Sequence, residues 1–138
     1  MVDTVVASKR SNIMAKVRHW NTAPELAVQR LLSELGIPFV THAKELPGRP
    51  DLVLSAERVV IRVHGCFWHG HGCRRGKLPT TNHDFWARKI QRNRARDTRT
   101  ARHLRALGWS VHTLWECLVS SRPESLRRRV QAIVVRRG

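Results

Sequence analysis

The stretch 65–77, GCFWHGHGCRRGK, constrains this chain more than any other. Glycines at 65, 70, 72 and 76 disfavour helix and strand alike, so the stretch reads as a loop. The loop also carries Cys66, His69, His71 and Cys73, which is too many ligands for a mere connector. The third cysteine, Cys117, follows much later. The first ten residues lack the apolar core of a secretory signal, and an odd cysteine count argues against a disulfide framework. Three cysteines and one histidine suit tetrahedral Zn²⁺ with no open position, a structural site. Spacing alone lets His69 and His71 exchange roles, and buried thiols are the plain alternative.

The segments on either side have clear periods. Thr22 and Glu25 make a capping box, and Pro24 is tolerated in the first turn. Val28, Leu31, Leu32 and Leu35 then follow a helical stripe that Gly36 ends. Residues 39–42, 51–55 and 58–64 read as short strands, the last two joined as a hairpin across Ala56-Glu57. Thr81 with Asp84 opens a long helix to about Leu107, closed by Gly108. Residues 109–115 read as a central strand, with Trp109 and Trp115 in the core. Ser121 with Glu124 opens a last helix that carries Leu126, Val130, Ile133 and Val134 on one face. The order α-β-β-β-α-β-α predicts an α/β fold, a mixed β-sheet flanked by helices. Residues 1–21 read as a basic N-terminal arm with a short helix around 12–17, and 22–138 as a single domain.

Charge points to the partner. Lys and Arg total 26 against 10 acidic residues, a formal net charge of +16. Such an excess attracts a polyanion, above all nucleic acid held through its phosphates. A membrane surface is the bland rival. No apolar run reaches the ~18 residues of a span, so a cytoplasmic protein is expected. Residues 88–105 concentrate the charge in Arg88, Lys89, Arg92, Arg94, Arg96, Arg99, Arg102 and Arg105, with only Asp97 opposing. An excess this large on one helix favours phosphate contact over a merely solvated face. Lys89 and Asn93 are four apart and share a face, and both residue types can read base edges. Phe67-Trp68 and Phe85-Trp86 offer rings that can wedge between bases, although core packing claims most tryptophans.

The acidic residues are few enough to weigh singly. A tight hairpin brings Asp51 near the end of strand 58–64, so one carboxylate converges with His64 and His69. A carboxylate binds a hard cation such as Mg²⁺, and a neutral histidine can take a proton from water. That set suits phosphodiester hydrolysis. The plain alternative for Asp51 is a turn carboxylate paired with Arg49 or Arg62. Glu25 is explained by its cap, and it also lies within reach of a metal's water shell.

The runs Leu46-Pro47-Gly48-Arg49-Pro50-Asp51 and His64-Gly65-Cys66-Phe67-Trp68-His69, with His71 and Cys73, resemble the bacterial very-short-patch-repair (Vsr-type) endonucleases. The match continues through Phe85-Trp86, Lys89-Ile90, Asn93, Arg96-Asp97, Leu107-Gly108-Trp109 and Trp115-Glu116-Cys117, covering about residues 8–120. The resemblance implies a restriction-endonuclease-like fold and nicking of double-stranded DNA 5′ to the thymine of a T·G mismatch, left when 5-methylcytosine deaminates. It implies Asp51 and the Val63 carbonyl as Mg²⁺ ligands, His69 as general base and His64 as an assisting group. Cys66, His71, Cys73 and Cys117 become the ligands of a structural Zn²⁺, and Phe67, Trp68 and Trp86 an intercalating wedge. Lys89 and Asn93 fall near the mismatch, and Arg92, Arg96 and Arg99 on the backbone. A monomer working beside mismatch-repair proteins at a bacterial nucleoid is the implied setting. The broader nuclease superfamily often has a second acid and a lysine on the second strand. Here Arg62 and His64 stand in those places, which leaves few protein ligands for the metal. Two rival readings stand beside this one: a zinc-stabilised DNA-binding protein without catalysis, and a nuclease of the same fold acting on another DNA structure.

Overall fold

The computed structural model describes residues 22–137; the basic arm and the helix expected near 12–17 lie outside the described residues. Helix α1 spans Ala23–Glu34 and begins as its sequence predicts. The Thr22 side chain accepts the Glu25 N–H at 3.4 Å, and the apolar stripe buries Val28, Leu31 and Leu32. Gly36, at φ +73°, ends the helix. The Ile37 N–H reaches the Leu32 carbonyl at 2.9 Å and the Gly36 N–H reaches that of Ser33 at 3.1 Å. These paired bonds are a Schellman closure, which needs the left-handed residue that glycine supplies.

Four strands follow in the sheet order β1-β2-β3-β4: β1 Val40–Thr41, β2 Leu52–Leu54, β3 Val59–His64 and β4 Ser110–Trp115. The expected hairpin forms, with Leu52 opposite Ile61 and Leu54 opposite Val59. β1 also pairs antiparallel with β2, whereas β3 and β4 run parallel. A parallel pair needs a long crossover, and helix α2, His83–Ala106, supplies it.

The sheet has two unequal faces. Leu52, Leu54, Val59, Ile61, Val63 and Leu114 pack against Val28 and Leu32 of α1 and against Leu126, Val130 and Ile133 of the last helix. The opposite face is thinner, with Val53, Val60 and Leu104 at its centre and Trp109 at its margin. Strand alternation puts Arg62 and His64 on this thinner side, under α2.

Two of the three expected capping boxes do not form. Asn82, in the left-handed region at φ +55°, takes the cap position of α2 and makes no side-chain cap bond. At the other end, β4 runs straight into a short helix, α3, Glu116–Ser121. Ser121 therefore closes α3 and does not open the last helix, α4, which spans Pro123–Arg137. Pro123 suits that start, because an N-terminal helical residue has no use for its N–H. Among the described residues no helix is long and apolar enough to cross a membrane.

Candidate functional site

Three clusters of potential ligands gather around the C-terminal end of β3. The first joins α1, β1 and β2. Asp51 precedes β2, and the hairpin register brings its Oδ2 to the Val63 N–H at 2.7 Å. His42 follows β1 and donates its own N–H to the Asp51 carbonyl at 3.1 Å. Its Nε2 lies 3.2 Å from Oε1 of Glu25. Donor atoms of Glu25, His42 and Asp51 all fall within 4.8 Å of one another. Glu25 is only 3% exposed, so its carboxylate serves this cluster and not merely the helix cap. Burial, and then the nearby negative charge of Glu25, push the Asp51 carboxyl up to about 7, against the pull of the Val63 amide. Arg62, an expected partner of Asp51, donates to the Asp97 carbonyl at 2.9 Å and to Thr113 Oγ1 at 3.2 Å.

The second cluster is His64, His69 and Asp97. The imidazoles of His64 and His69 stack 3.7 Å apart, 8° from parallel. His69 Nδ1 lies 2.6 Å from Asp97 Oδ2. Burial, helped by the adjacent His69, drives His64 down to about 3 and so keeps it neutral. Burial works to raise Asp97, but the bond from His69 and the charges of His69, His64 and Arg62 outweigh it and hold its carboxyl below the usual value. Asp51 and the two histidines thus form adjacent clusters, joined through consecutive residues: Val63 holds Asp51, and His64 begins the imidazole stack.

The third cluster holds Cys66, His71, Cys73 and Cys117, with one donor atom from each within 4.8 Å of the others. Between the two loop histidines, His71 joins the thiols and His69 does not. His71 Nδ1 is 3.7 Å from Cys117 Sγ. Burial pushes the Cys66 thiol up to about 12, while the bond from His71 draws Cys73 down to about 6. All three cysteines are free thiols. The Glu116 carboxylate braces this loop, accepting the Cys66 N–H at 3.1 Å and lying 3.7 Å from the Arg75 guanidinium.

The rings and the basic helix surround these clusters. Phe67, Trp68 and Trp86 meet edge to face, with centroids 5.1 to 5.9 Å apart. Asn93 donates to the Trp68 carbonyl at 2.9 Å, so its amide group is committed to the loop that carries the wedge rings. Gly70, at φ +66°, lets the loop lie against α2, since a Cβ there would sit 2.7 Å from Ile90. Arg88, Arg92, Arg96 and Arg99 are exposed along α2, while Lys89 is half-buried.

Four contributing residues escaped the sequence reading. Asp97 had a usable signal: it falls on the inward stripe of α2 with Ile90, Ala101 and Leu104, so an acid there had to face the sheet. His42 and Glu116 had none, because their partners are distant in sequence. Trp115, expected in the core, is half-buried between two clusters. It stacks on His71 at 4.3 Å and meets His64 edge-on at 5.4 Å.

Known proteins share this arrangement of sequence. The family model described as DNA mismatch endonuclease Vsr matches residues 2–75. The chain is 49% identical over 120 residues to the type II nicking enzyme V.XorIIP of Xanthomonas oryzae pv. oryzae, covering 87% of this chain and 88% of that one. It is 38% identical over 142 residues to the DNA mismatch endonuclease Vsr of Escherichia coli K12, covering 100% of this chain and 91% of the relative. Among solved structures, the homing endonuclease I-Bth0305I catalytic domain superposes with a TM-score of 0.57 at 20% identity, covering 85% of this chain and 98% of the other. That last likeness speaks for the fold.

Proposed function

Because this chain belongs to the Vsr family of DNA mismatch endonucleases, and so is a hydrolase that nicks DNA, we propose that it cuts duplex DNA 5′ to the thymine of a T·G mismatch. The observation that carries the chemistry is the adjacency at the end of β3. Val63 fixes a carboxylate, and His64 stacks on a histidine that is itself bonded to Asp97.

Asp51 and the Val63 main-chain carbonyl would hold Mg²⁺, with Glu25 facing its water shell. The donor set fits, because two buried carboxylates face each other and one has its pKa pushed to about 7 by burial and by the other's charge. When bound, such a cation stabilises charge on the attacking and leaving oxygens. His69 takes the proton of the attacking water. With Nδ1–H directed at Asp97, the ring lone pair is on Nε2, and the carboxylate stabilises the imidazolium that forms. His64 stays neutral and fixes the plane of the ring stacked on it. Two parallel imidazoles at 3.7 Å cannot both carry charge cheaply, so the proton has one destination.

Cys66, His71, Cys73 and Cys117 would hold a structural Zn²⁺. Three thiols and an imidazole complete a tetrahedral set with no position left for substrate. The brace keeps Phe67 and Trp68 presented beside Trp86, where they would enter the stack at the mismatch. A mismatched step is cheaper to open than a matched one, which turns the wedge into a source of selectivity. Lys89 would approach the mismatch, Asn93 would steady Trp68, and Arg92, Arg96 and Arg99 would hold phosphates. The enzyme would act as a monomer, alongside mismatch-repair proteins, in the bacterial cytoplasm at the nucleoid.

The test is strand nicking on matched and T·G duplexes with Mg²⁺ or with chelator. Cleavage confined to the mismatched duplex and to Mg²⁺ is expected. Equal cutting of both duplexes would remove the mismatch assignment, and full activity in chelator would remove the metal.

A further inference from the structure

We propose that His42 is a positioning residue for the carboxylate site: it holds one oxygen of Glu25 so that this side chain faces Asp51. The proposal rests on the reading of Asp51 as the metal-holding carboxylate.

Glu25 and Asp51 present a conflict that needs a third group. Both are acids in a poorly solvated place, and each raises the cost of charging the other. Glu25 is 97% buried by its 3% exposure, so water does little to orient it. Its Oε1 lies 3.2 Å from Nε2 of His42, close enough to accept an N–H bond that fixes the rotamer.

His42 is well placed for this task because it is tied to both acids. Its N–H donates to the Asp51 carbonyl at 3.1 Å, while its imidazole holds Glu25. It does so from the left-handed region, at φ +49°, which few residues other than glycine, asparagine or aspartate adopt. That backbone turn directs the ring at α1 immediately after β1 ends at Thr41. One residue therefore sets the relation between a helix carboxylate and a strand carboxylate. Groups that orient metal-facing ligands in this manner commonly govern metal affinity about 10- to 100-fold.

Two variants separate reach from backbone. His42→Asn tolerates the left-handed turn but its amide falls short of Glu25, and His42→Gln retains the reach. Mn²⁺ binding to the full chain without DNA is measured by calorimetry, alongside the Mg²⁺ concentration that gives half-maximal nicking. His42→Asn is expected to weaken Mn²⁺ binding roughly tenfold or more. It should raise the half-maximal Mg²⁺ in step, while the rate at saturating Mg²⁺ and the affinity for DNA change little. His42→Gln should restore most of the metal affinity. Wild-type Mn²⁺ affinity in His42→Asn overturns the proposal, and so does an equal loss in both variants. Asp51→Asn is the control: if it nicks at the wild-type rate, the underlying reading of Asp51 fails. If it is inactive while His42→Asn binds Mn²⁺ normally, only the role of His42 fails.

Discussion

The two metal-capable clusters on either side of His64 are assembled in opposite ways. Cys66, His71 and Cys73 come from one loop, and only Cys117 is brought from elsewhere. Glu25, His42 and Asp51 come from three separate elements and meet only because the sheet and α1 pack. Their chemistry differs too. Thiolates and an imidazole form a closed set for a borderline-soft ion, whereas carboxylates suit a hard cation that retains water. A local, soft cluster can brace a loop. A cluster spread across the core can place charge at the sheet end with little freedom to move.

If that contrast is right, the two clusters fail differently. Asp51→Asn should lower nicking by about a thousandfold or more, since several kcal/mol of transition-state stabilisation go with the cation. The same variant should keep its zinc content and its fold. Cys117→Ser should lose zinc and melt at lower temperature, because metal binding at such a site is folding free energy. Metal analysis and thermal melts of the two proteins decide this, and loss of zinc in Asp51→Asn would break the division.

A smaller effect is expected where the imidazole stack meets α2. Asp97→Asn removes the charge that supports a protonated His69, and nicking at saturating Mg²⁺ should fall about a hundredfold, in the range of general-base effects. DNA affinity should be unchanged. A single-turnover rate equal to wild type would show that Asp97 only braces the loop.

The pH response sharpens the comparison further. Asp51 is raised to about 7 from 3.8, so between those values the folded metal-free chain binds a proton that the unfolded chain does not. Its contribution to stability therefore falls as pH rises through that window. A cation competes with the same proton. Apparent Mg²⁺ affinity should weaken by about tenfold for each pH unit below about 7 and level off above it. Titrations at several pH values that give a flat affinity would contradict this.

The smallest expected change is in salt dependence. Arg92→Ala with Arg99→Ala should flatten the slope of log affinity against log salt by about 1.8, at about 0.9 per phosphate released. An unchanged slope would mean that these exposed arginines only solvate α2.

Local chemistry was readable from the residues themselves. The Thr22 cap, the Gly36 closure, the hairpin of β2 and β3 and the α2 crossover each follow from spacing within a few residues. The gathering of thiols and imidazoles in one loop was readable for the same reason. Spacing left His69 and His71 interchangeable, because two loop histidines one residue apart look alike until partners are assigned. The tertiary structure divided them: α2 brings Asp97 to His69, and Cys117 after β4 comes to His71. The capping boxes at Thr81 and Ser121 failed because a cap motif is weak beside the packing of the helix it would start. The sequence by itself determined the elements and the inventory of reactive groups. Only the packing of α1 and α2 on the sheet decided which acid meets which imidazole, since those pairings join residues 17 and 28 positions apart that no local energy can bring together.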